Sequence, residues 1–216
     1  GIRGDGVAGG AGKYTSTDAI SWTVNFLAPD DQWSSVLWAP ELALFVAVAR
    51  GNGSLGGGTR VMTSATGLNA SWVSRSTPAD NSWEDIAWSP KLGLLAAVAN
   101  TGTNNRVMTS PNGITWTIRT TPSPDRNWRG IAWSPTWELF VAVADSGHVM
   151  TSANGLTWTM GTNPPSLQAW RGITWSHELG VFAVVSTDGG TSKVMLSSPA
   201  LLAPTAEFSG TPRSGD

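Results

Sequence analysis

Tryptophan recurs at three fixed positions of a repeat that runs through the whole chain, and this recurrence constrains the fold more than any other feature. Of the 13 tryptophans among 216 residues, 12 fall into three registers of four. Neighbouring members of the third register lie 50, 44 and 42 residues apart, a period too long for most leucine-rich or helical-hairpin repeats. The first register is Trp33, Trp83, Trp128 and Trp170; the second is Trp38, Trp88, Trp133 and Trp175; the third is Trp22, Trp72, Trp116 and Trp158.

Each repeat contains four short runs that are typical of strands. The runs are rich in Val, Ile, Thr and aromatic residues, and Gly, Pro, Asn or Ser separates them. In the third repeat we predict strands A to D at 130–134, 139–144, 148–152 and 157–161. Asn154-Gly155 joins the third strand to the fourth, and Asn-Gly is a strong hairpin signal because both residues of a type I′ turn need positive φ. The sequence therefore predicts an antiparallel meander in every repeat.

The second run of each repeat indicates how the meanders pack. Runs such as 140–144, FVAVA, are apolar without alternation, so this strand should be covered on both faces by neighbouring sheets. The predicted fold is an all-β β-propeller of four-stranded antiparallel blades, with four clear repeats in a permuted frame. We expect strands from both termini to share the closure, with the strand around Trp22 completing the final blade; a five-bladed ring is the alternative.

The repeat frame organises the chain as a single domain, 1–216. It has a Gly-rich start at 1–12, repeats at about 13–59, 60–105, 106–147 and 148–192, and a closing strand with a tail at 193–216. The net charge of −2 offers no basic surface for nucleic acid, and no segment is apolar enough for membrane insertion. There is no cysteine for a disulfide or a thiolate nucleophile. The terminal strands are also candidates for homo-oligomer contacts.

The turns between the third and fourth strands resemble the Asp-box (BNR) repeat of sialidase-type propellers. The matching segments are SPNGITW at 110–116 and SANGLTW at 152–158, with a third copy at 16–22. In that family the box is a structural hairpin. Asn112, Asn154 and Thr66 replace the usual Asp here. The resemblance implies a non-catalytic, lectin-like propeller or a viral or phage surface propeller, in an extracellular or virion-associated setting.

Catalytic and metal-binding residues are not evident. Tyr14, the single tyrosine that could serve as a sialidase nucleophile, occupies a position filled elsewhere by Met. Ordinary glycosidases need two carboxylates across a cleft, and no unique acidic pair emerges from the repeats. His148 and His177 are isolated in the sequence. We expect no enzyme activity, no cofactor and no metal, with a degenerate glycosidase as the second alternative.

The first tryptophan register is the predicted ligand site because it lies in the loop that enters strand A. Loops at one end of a rigid ring collect binding residues. An indole beside planar polar groups suits a sugar, whose CH groups stack while its hydroxyls are hydrogen-bonded. The sequence predicts a carbohydrate-binding propeller whose partners are glycans or glycosylated surfaces; the alternative is a structural or protein-interaction propeller without a small ligand. The candidate residues are Trp33, Trp83, Trp128, Trp170, Arg129, Arg171, Glu84, Asn127 and Gln32.

Overall fold

The computed structural model describes residues 13–16, 18–21, 23–25, 31–51, 58–68, 71–161, 168–188, 193–197 and 208–209. These ranges contain nearly all of the predicted strands. The Gly-rich start, Trp22 and most of the predicted tail lie outside the described residues.

The described strands form four four-stranded antiparallel sheets, here called blades I to IV, and one two-stranded sheet. The two-stranded sheet is the hairpin of β1 (Lys13–Thr15) and β2 (Thr23–Asn25). Blade I contains β3 (Trp33–Ala39), β4 (Leu44–Ala49), β5 (Val61–Ser64) and β6 (Val73–Arg75). Blade II contains β7 (Trp83–Ser89), β8 (Leu94–Ala99), β9 (Val107–Ser110) and β10 (Thr117–Arg119). Blade III contains β11 (Trp128–Ser134), β12 (Leu139–Ala144), β13 (Val149–Ser152) and β14 (Thr159–Met160). Blade IV contains β15 (Trp170–Ser176), β16 (Val181–Ser186), β17 (Val194–Ser197) and β18 (Phe208–Ser209).

The predicted all-β fold of four-stranded meanders is confirmed. Strands follow one another in each blade in chain order, so each blade is a simple meander that starts at the inner strand, A, and ends at the outer strand, D. A 3₁₀ turn, Pro40–Leu42, follows the inner strand of blade I. The inner strands pack in sequence, β3 on β7, β7 on β11 and β11 on β15. Consecutive repeats are therefore adjacent blades of a propeller.

The prediction that an N-terminal strand completes the final blade is wrong for the described sheets. β17 pairs with β16, with Val184 opposite Met195, and β18 extends the same sheet. β1 pairs with β2 in a sheet of their own. Blade IV takes all four strands from the C-terminal part of the chain, because β18 pairs with the outer edge of β17, the edge that the strand around Trp22 would need.

Each blade has two unlike faces, and the core consists of contacts between them. The face that a blade turns to the preceding blade carries indoles, Phe and Met, and the face that it turns to the next blade carries Ala, Val and Leu. All six residues of β12 are buried, as the apolar run predicts for a strand covered on both faces. At the contact of blades II and III, the blade III side is Trp128, Ile131, Trp133, Phe140, Met150 and Trp158, and the blade II side is Ala87, Ala96, Val98 and Val107.

The turns between strands C and D are held by side chains that accept backbone N–H groups. In blade II, Oγ of Ser110 accepts the N–H of Gly113 at 2.8 Å, and Oδ1 of Asn112 accepts those of Ile114 and Thr115, both at 2.9 Å. The indole of Trp116 donates to the carbonyl of Gly113 at 3.1 Å and closes the turn. Blade III repeats the same pattern. These contacts explain why the Ser, Asn, Gly and Trp of the motif recur together.

The first turn of the chain shows what an acidic residue does at this position. There, Asp18 stands where the other turns carry Asn112 or Asn154, and its carboxylate accepts the N–H groups of Ser21 and Ile20. Those hydrogen bonds, with one from the hydroxyl of Ser16, hold the pKa of Asp18 well below its ordinary value. The turn therefore favours a negative charge at this site.

We predict that Asn112→Asp stabilises blade II at neutral pH, because an ionised acceptor makes stronger hydrogen bonds than an amide. The melting temperature should rise by about 2 °C at pH 7. The folded-state pKa of the new carboxyl lies below its unfolded value, so the gain is present above about pH 4 and disappears as the pH falls through the folded pKa. Thermal melts of the wild type, Asn112→Asp and Asn112→Ala from pH 7 to pH 2 test this. A gain that does not depend on pH contradicts it.

Candidate functional site

Every inner strand carries a β-bulge directly after its first tryptophan. In blade II, Trp83 pairs with Ala99 and Asp85 pairs with Val98, so Glu84 is an extra residue between two registered pairs. A bulge bends the strand and re-aims the side chain of the extra residue, and bulges are frequent beside functional sites. The bulge residues of blades I to IV are Ser34, Glu84, Arg129 and Arg171.

A second polar position lies beside each bulge, where the chain leaves strand B. The N–H of this residue donates to a carbonyl in the loop that enters strand A, as from Arg50 to Gln32 at 2.9 Å and from Asp145 to Asn127 at 3.1 Å. The bulge and the end of strand B are thereby held together in every blade. These residues are Arg50, Asn100, Asp145 and Thr187. We call the four bulge residues and these four residues the polar arc.

Glu84 is the centre of the polar arc and connects three blades. Its side chain is buried, and it accepts a hydrogen bond from Nε of Arg50 at 2.8 Å and one from Nη1 of Arg129 at 2.6 Å. Nδ2 of Asn100, in its own blade, donates to it at 2.5 Å. A buried carboxylate is strongly destabilising unless it is paired and hydrogen-bonded. Here the partners come from blades I, II and III, so the pairing requires all three blades to be in place.

The arc continues from Glu84 with alternating charge and ends at an arginine that forms no ion pair in the described part of the chain. Arg129 bonds to Oδ2 of Asp145 through Nη2 at 3.0 Å. In blade IV, the exposed side chain of Arg171 has only the hydroxyl of Thr187, 3.4 Å from its Nε. The carboxylate of Asp188, the residue after Thr187, accepts the N–H of Ala169. Arg171 is therefore the guanidinium of the arc that is open to an incoming anion.

Asp85 follows the bulge of blade II and ties the inner strands together. One of its oxygens accepts the hydroxyl of Ser35, in blade I, at 2.7 Å and the N–H of Ile86 at 2.9 Å. The other accepts the N–H of Ile131, in blade III, at 2.9 Å. Burial raises the pKa of Asp85, against the lowering effect of these three donors, with a smaller rise from the neighbouring charge of Glu84. Through these contacts Asp85 links the inner strands of three blades.

The first tryptophan register does not form the exposed stacking surface that the sequence predicts. The exposed fractions of Trp33, Trp83, Trp128 and Trp170 are 8%, 0%, 0% and 1%. Trp83, Trp128 and Trp170 lie between blades, and Trp33 packs in a buried cluster of its own blade, so none of the four presents its face to a sugar ring. The indole N–H groups of Trp83, Trp128 and Trp170 also have no hydrogen-bond partner within the described residues. The exposure predicted for these four indoles is wrong, because each indole packs in the core, and the residue at the bulge that follows it makes the polar contacts.

The polar members of the predicted site divide into two groups. Glu84, Arg129 and Arg171 lie in the polar arc. Asn127 accepts a hydrogen bond from Arg106 at 2.8 Å and lies 3.3 Å from Asp145, while Gln32 is exposed in the loop before blade I. Sequence reasoning missed Arg50, Asn100 and Asp145, although a signal was available, since each directly follows an aligned apolar run.

The described residues form neither a metal site nor a membrane-spanning helix. No three His, Asp or Glu side chains in the described ranges come together as a metal site would require. Within the same ranges, no helix has the length and apolar character needed to cross a bilayer. His148 bonds to the carbonyl of Ser146 at 2.8 Å, inside its own turn. The polar arc links four charged residues, Arg50, Glu84, Arg129 and Asp145, whereas a second cluster among the described residues links three, Asp31, Arg60 and Asp80.

Comparison with known proteins gives the class of the fold and no family. No protein-family model matches the sequence, and no curated protein matches it. Solved structures do match, and they are β-propellers. The chain is thus a propeller that has low sequence identity to its structural neighbours.

Two of the matching proteins are a lyase and a protein that is described as bound to a peptide. Virginiamycin B lyase from Staphylococcus aureus matches with a TM-score of 0.68 and 14% identity, over 90% of this chain and 61% of that one. YCF48 from Cyanidioschyzon merolae matches with a TM-score of 0.55 and 12% identity, over 85% of this chain and 57% of that one. YCF48 bound to D1 peptide matches with a TM-score of 0.53 and 14% identity, over 87% of this chain and 59% of that one. This chain spans less than two thirds of these neighbours, and identity at this level shows the fold alone.

We predict that Asp85→Ala lowers the free energy of unfolding by about 3 kcal/mol, because it leaves the buried N–H of Ile131 and the hydroxyl of Ser35 without their acceptor. Urea denaturation at pH 7 measures the loss. The matched control is Asp80→Ala, which removes the half-exposed partner of Arg60 and should cost about 0.5 kcal/mol. Equal losses of unfolding free energy in the two variants would show that Asp85 does not link the blades.

We also expect Trp128→Ala to lower the free energy of unfolding by about 4 kcal/mol, the range observed when a buried aromatic side chain is truncated. Trp38→Ala is the matched control, because Trp38 is half-exposed and its loss should cost less. Denaturation curves of both variants decide the role of the first register. A variant Trp128→Ala that keeps wild-type stability would restore the indole as a ligand contact.

Proposed function

We propose that this chain is a non-enzymatic binding propeller that takes a carboxylate of a protein segment at the polar arc, with Arg171 as the receiving group. The observation that carries the proposal is the difference between Arg129 and Arg171. Both are bulge residues of inner strands, but Arg129 holds Glu84 and Asp145, whereas Arg171 is exposed and has no ion pair within the described residues. An exposed arginine beside an ordered row of charges is suited to bind an incoming carboxylate.

The charge of the arc supports an anionic ligand. The eight residues of the arc include three guanidinium groups, of Arg50, Arg129 and Arg171, and two carboxylates, of Glu84 and Asp145, and Arg171 is the one of the three that pairs with neither carboxylate. The paired members are fixed by hydrogen bonds, and a preordered site loses little conformational entropy on binding. In the arc, Glu84 lies between Arg50 and Arg129, and Asp145 lies beside Arg129. The carboxylate of the ligand would lie beside Arg171 in the same way and continue the alternation of charges.

A protein segment is favoured over a glycan because the indoles that would stack on a sugar are buried. One structural neighbour, YCF48, is described as bound to a peptide, which shows that a related fold accommodates one. Carbohydrate binding, the Asp-box kinship and an extracellular or virion-associated location remain predictions from the sequence.

The engagement of the acidic residues supports a non-enzymatic role. A glycosidase needs one carboxyl as acid and a second as base or nucleophile on the two sides of the bond that it cleaves. Glu84 is buried between two arginines, and Asp85 accepts three hydrogen bonds. Both carboxylates are therefore buried and already hydrogen-bonded within the described residues. A degenerate glycosidase is therefore the less favoured alternative.

We expect fluorescein-labelled peptides with glutamate to bind more tightly than the same peptides with glutamine. Arg171→Ala should lower the affinity for the glutamate peptides by about 10- to 100-fold, because it removes one charge-assisted contact between an arginine and a carboxylate. Higher salt should reduce the difference. The readout is fluorescence anisotropy against a peptide library and, in parallel, a glycan array that includes acidic sugars.

Arg119→Ala is the charge-matched control, because Arg119 lies on outer strand β10 and bonds to Thr109. It should bind the peptides as the wild type does. Equal binding by Arg171→Ala and the wild type would refute the proposal. Arg171-dependent binding to acidic glycans alone would replace it with the carbohydrate hypothesis, and cleavage of a reporter glycoside would replace it with the enzyme.

A further inference from the structure

Two turns of the chain contain Asn-Gly, the dipeptide in which an asparagine side chain loses its amide most readily. They are Asn112-Gly113 in blade II and Asn154-Gly155 in blade III; a third copy, Asn52-Gly53, lies outside the described residues. Asparagine is thermolabile, and glycine favours the reaction because it has no side chain to shield its backbone nitrogen. The equivalent turns before these two carry Asp18 and Thr66, which have no amide to lose. The turns of blades II and III are therefore candidate modification sites.

The reaction of such a pair is a deamidation through a cyclic imide. In blade II, the backbone nitrogen of Gly113 loses its proton to hydroxide and attacks Cγ of Asn112. A bond forms between this nitrogen and Cγ, the bond from Cγ to Nδ2 breaks, and Nδ2 leaves as ammonia. Water then opens the imide at one of its two carbonyls, which gives either aspartate or isoaspartate. The reaction therefore requires a glycine N–H that can lose its proton and an asparagine side chain that can move toward the nitrogen.

Hydrogen bonds in the folded turn hold both reacting groups in place. The N–H of Gly113 is buried and donates to Oγ of Ser110 at 2.8 Å, and Oδ1 of Asn112 accepts two backbone N–H groups at 2.9 Å. The carbonyl of Gly113 accepts the indole N–H of Trp116 at 3.1 Å. The corresponding four distances in blade III are 2.9, 2.8, 2.9 and 3.2 Å. The folded turn thus meets neither requirement of the reaction.

The blade before each turn covers its glycine. A Cβ atom placed on Gly113 would lie 3.1 Å from Cδ2 of Leu44 and 3.3 Å from Cγ2 of Val46, both in blade I. A Cβ atom placed on Gly155 would lie 2.5 Å from Cδ2 of Leu94, in blade II. Both glycines also have positive φ, +73° and +71°, which favours glycine over other residues. The fold thus requires the glycine that makes each asparagine reactive, and it covers that glycine with the neighbouring blade.

We propose that Asn112 and Asn154 are deamidation sites that react when the preceding blade moves away. The rate at such a site follows the population of the locally open form. Reaction at Asn112 therefore reports opening between blades I and II, and reaction at Asn154 reports opening between blades II and III. The aspartate product can re-form the turn, since Asp18 accepts the same N–H groups in the first hairpin. Isoaspartate adds a methylene to the backbone, so it cannot restore the spacing of the turn.

The test follows both sites at once in the full 216-residue chain, by mass spectrometry of a peptide map after incubation at mildly alkaline pH. The native wild type should convert each site at least about 10-fold more slowly than the same chain in guanidinium chloride. Leu44→Ala, which uncovers Gly113, should raise the rate at Asn112 by about 10-fold and leave the rate at Asn154 unchanged. Leu94→Ala should have the opposite effect, because it uncovers the other turn.

A second variant, Ser110→Ala, leaves the packing of blade I in place and removes the acceptor of the Gly113 N–H. It should also raise the rate at Asn112 alone, so the proposal can be tested even if a leucine variant does not fold, which circular dichroism would show. The matched control is Ile114→Ala, which changes a side chain of the same turn that is 48% exposed and should leave both rates as in the wild type.

Two results would overturn the inference. Equal rates in the native and the unfolded wild type would show that the folded turn does not hold back the reaction. In a folded Leu44→Ala or Ser110→Ala variant, an equal rise at both asparagines would show that the reaction follows unfolding of the whole chain and not the opening of one blade contact.

Discussion

The structure depends on the contact between the indole-bearing face of one blade and the aliphatic face of the blade before it. A buried aromatic side chain removes about 200 Å² from water, worth about 5 kcal/mol at 25 cal/mol per Å². Each contact contains several such side chains. The ion pairs between blades contribute far less, since desolvation offsets much of their attraction. Apolar packing therefore holds the blades together and fixes the distances between the inner strands.

The polar arc follows from that spacing. Arg50, Glu84 and Arg129 come from three different blades, and their contacts of 2.6 to 2.8 Å exist because the blades stand one behind another in a fixed register. The buried carboxylate of Glu84 specifies this arrangement more than it stabilises it. If a blade were displaced, Glu84 would lose an arginine partner and remain as a buried charge without its pair. Asp85 acts in the same way through neutral donors. Packing sets the geometry, and the charges make that geometry specific.

Repetition separates scaffold from site in this molecule. The indole positions are the same in all blades, whereas the bulge residue next to them changes from Ser34 to Glu84, Arg129 and Arg171. A position that packs between blades has the same surroundings in each repeat and keeps the same residue. A position at the bulge is free to vary because the extra residue leaves the pairing of the strands unchanged. Function in such a chain is expected where the repeats differ, and not where they agree.

The strands, their order in each blade and the two-sided burial of strand B could be predicted from the sequence, because apolar runs and Asn-Gly turns act over a few residues. Glu84, Arg129 and Arg171 could be singled out in the same way, by comparing aligned positions. The roles of Arg50 and Asp145 could not, because they depend on where the end of strand B lies relative to a bulge that leaves no mark on the hydrophobic pattern. The pairing of β18 with β17, in place of the strand around Trp22, could not be predicted either, because it joins segments that carry no shared sequence signal.

The sequence by itself determined that this chain forms repeated antiparallel meanders with tryptophan at fixed places, since local propensity and periodic hydrophobicity need no knowledge of distant contacts. Only the tertiary structure decided which tryptophans are buried and which are exposed. Exposure of an indole depends on residues about 50 positions away, across the contact of two sheets, and a one-residue bulge beside Trp83 gives Glu84 its polar partners in the neighbouring blades.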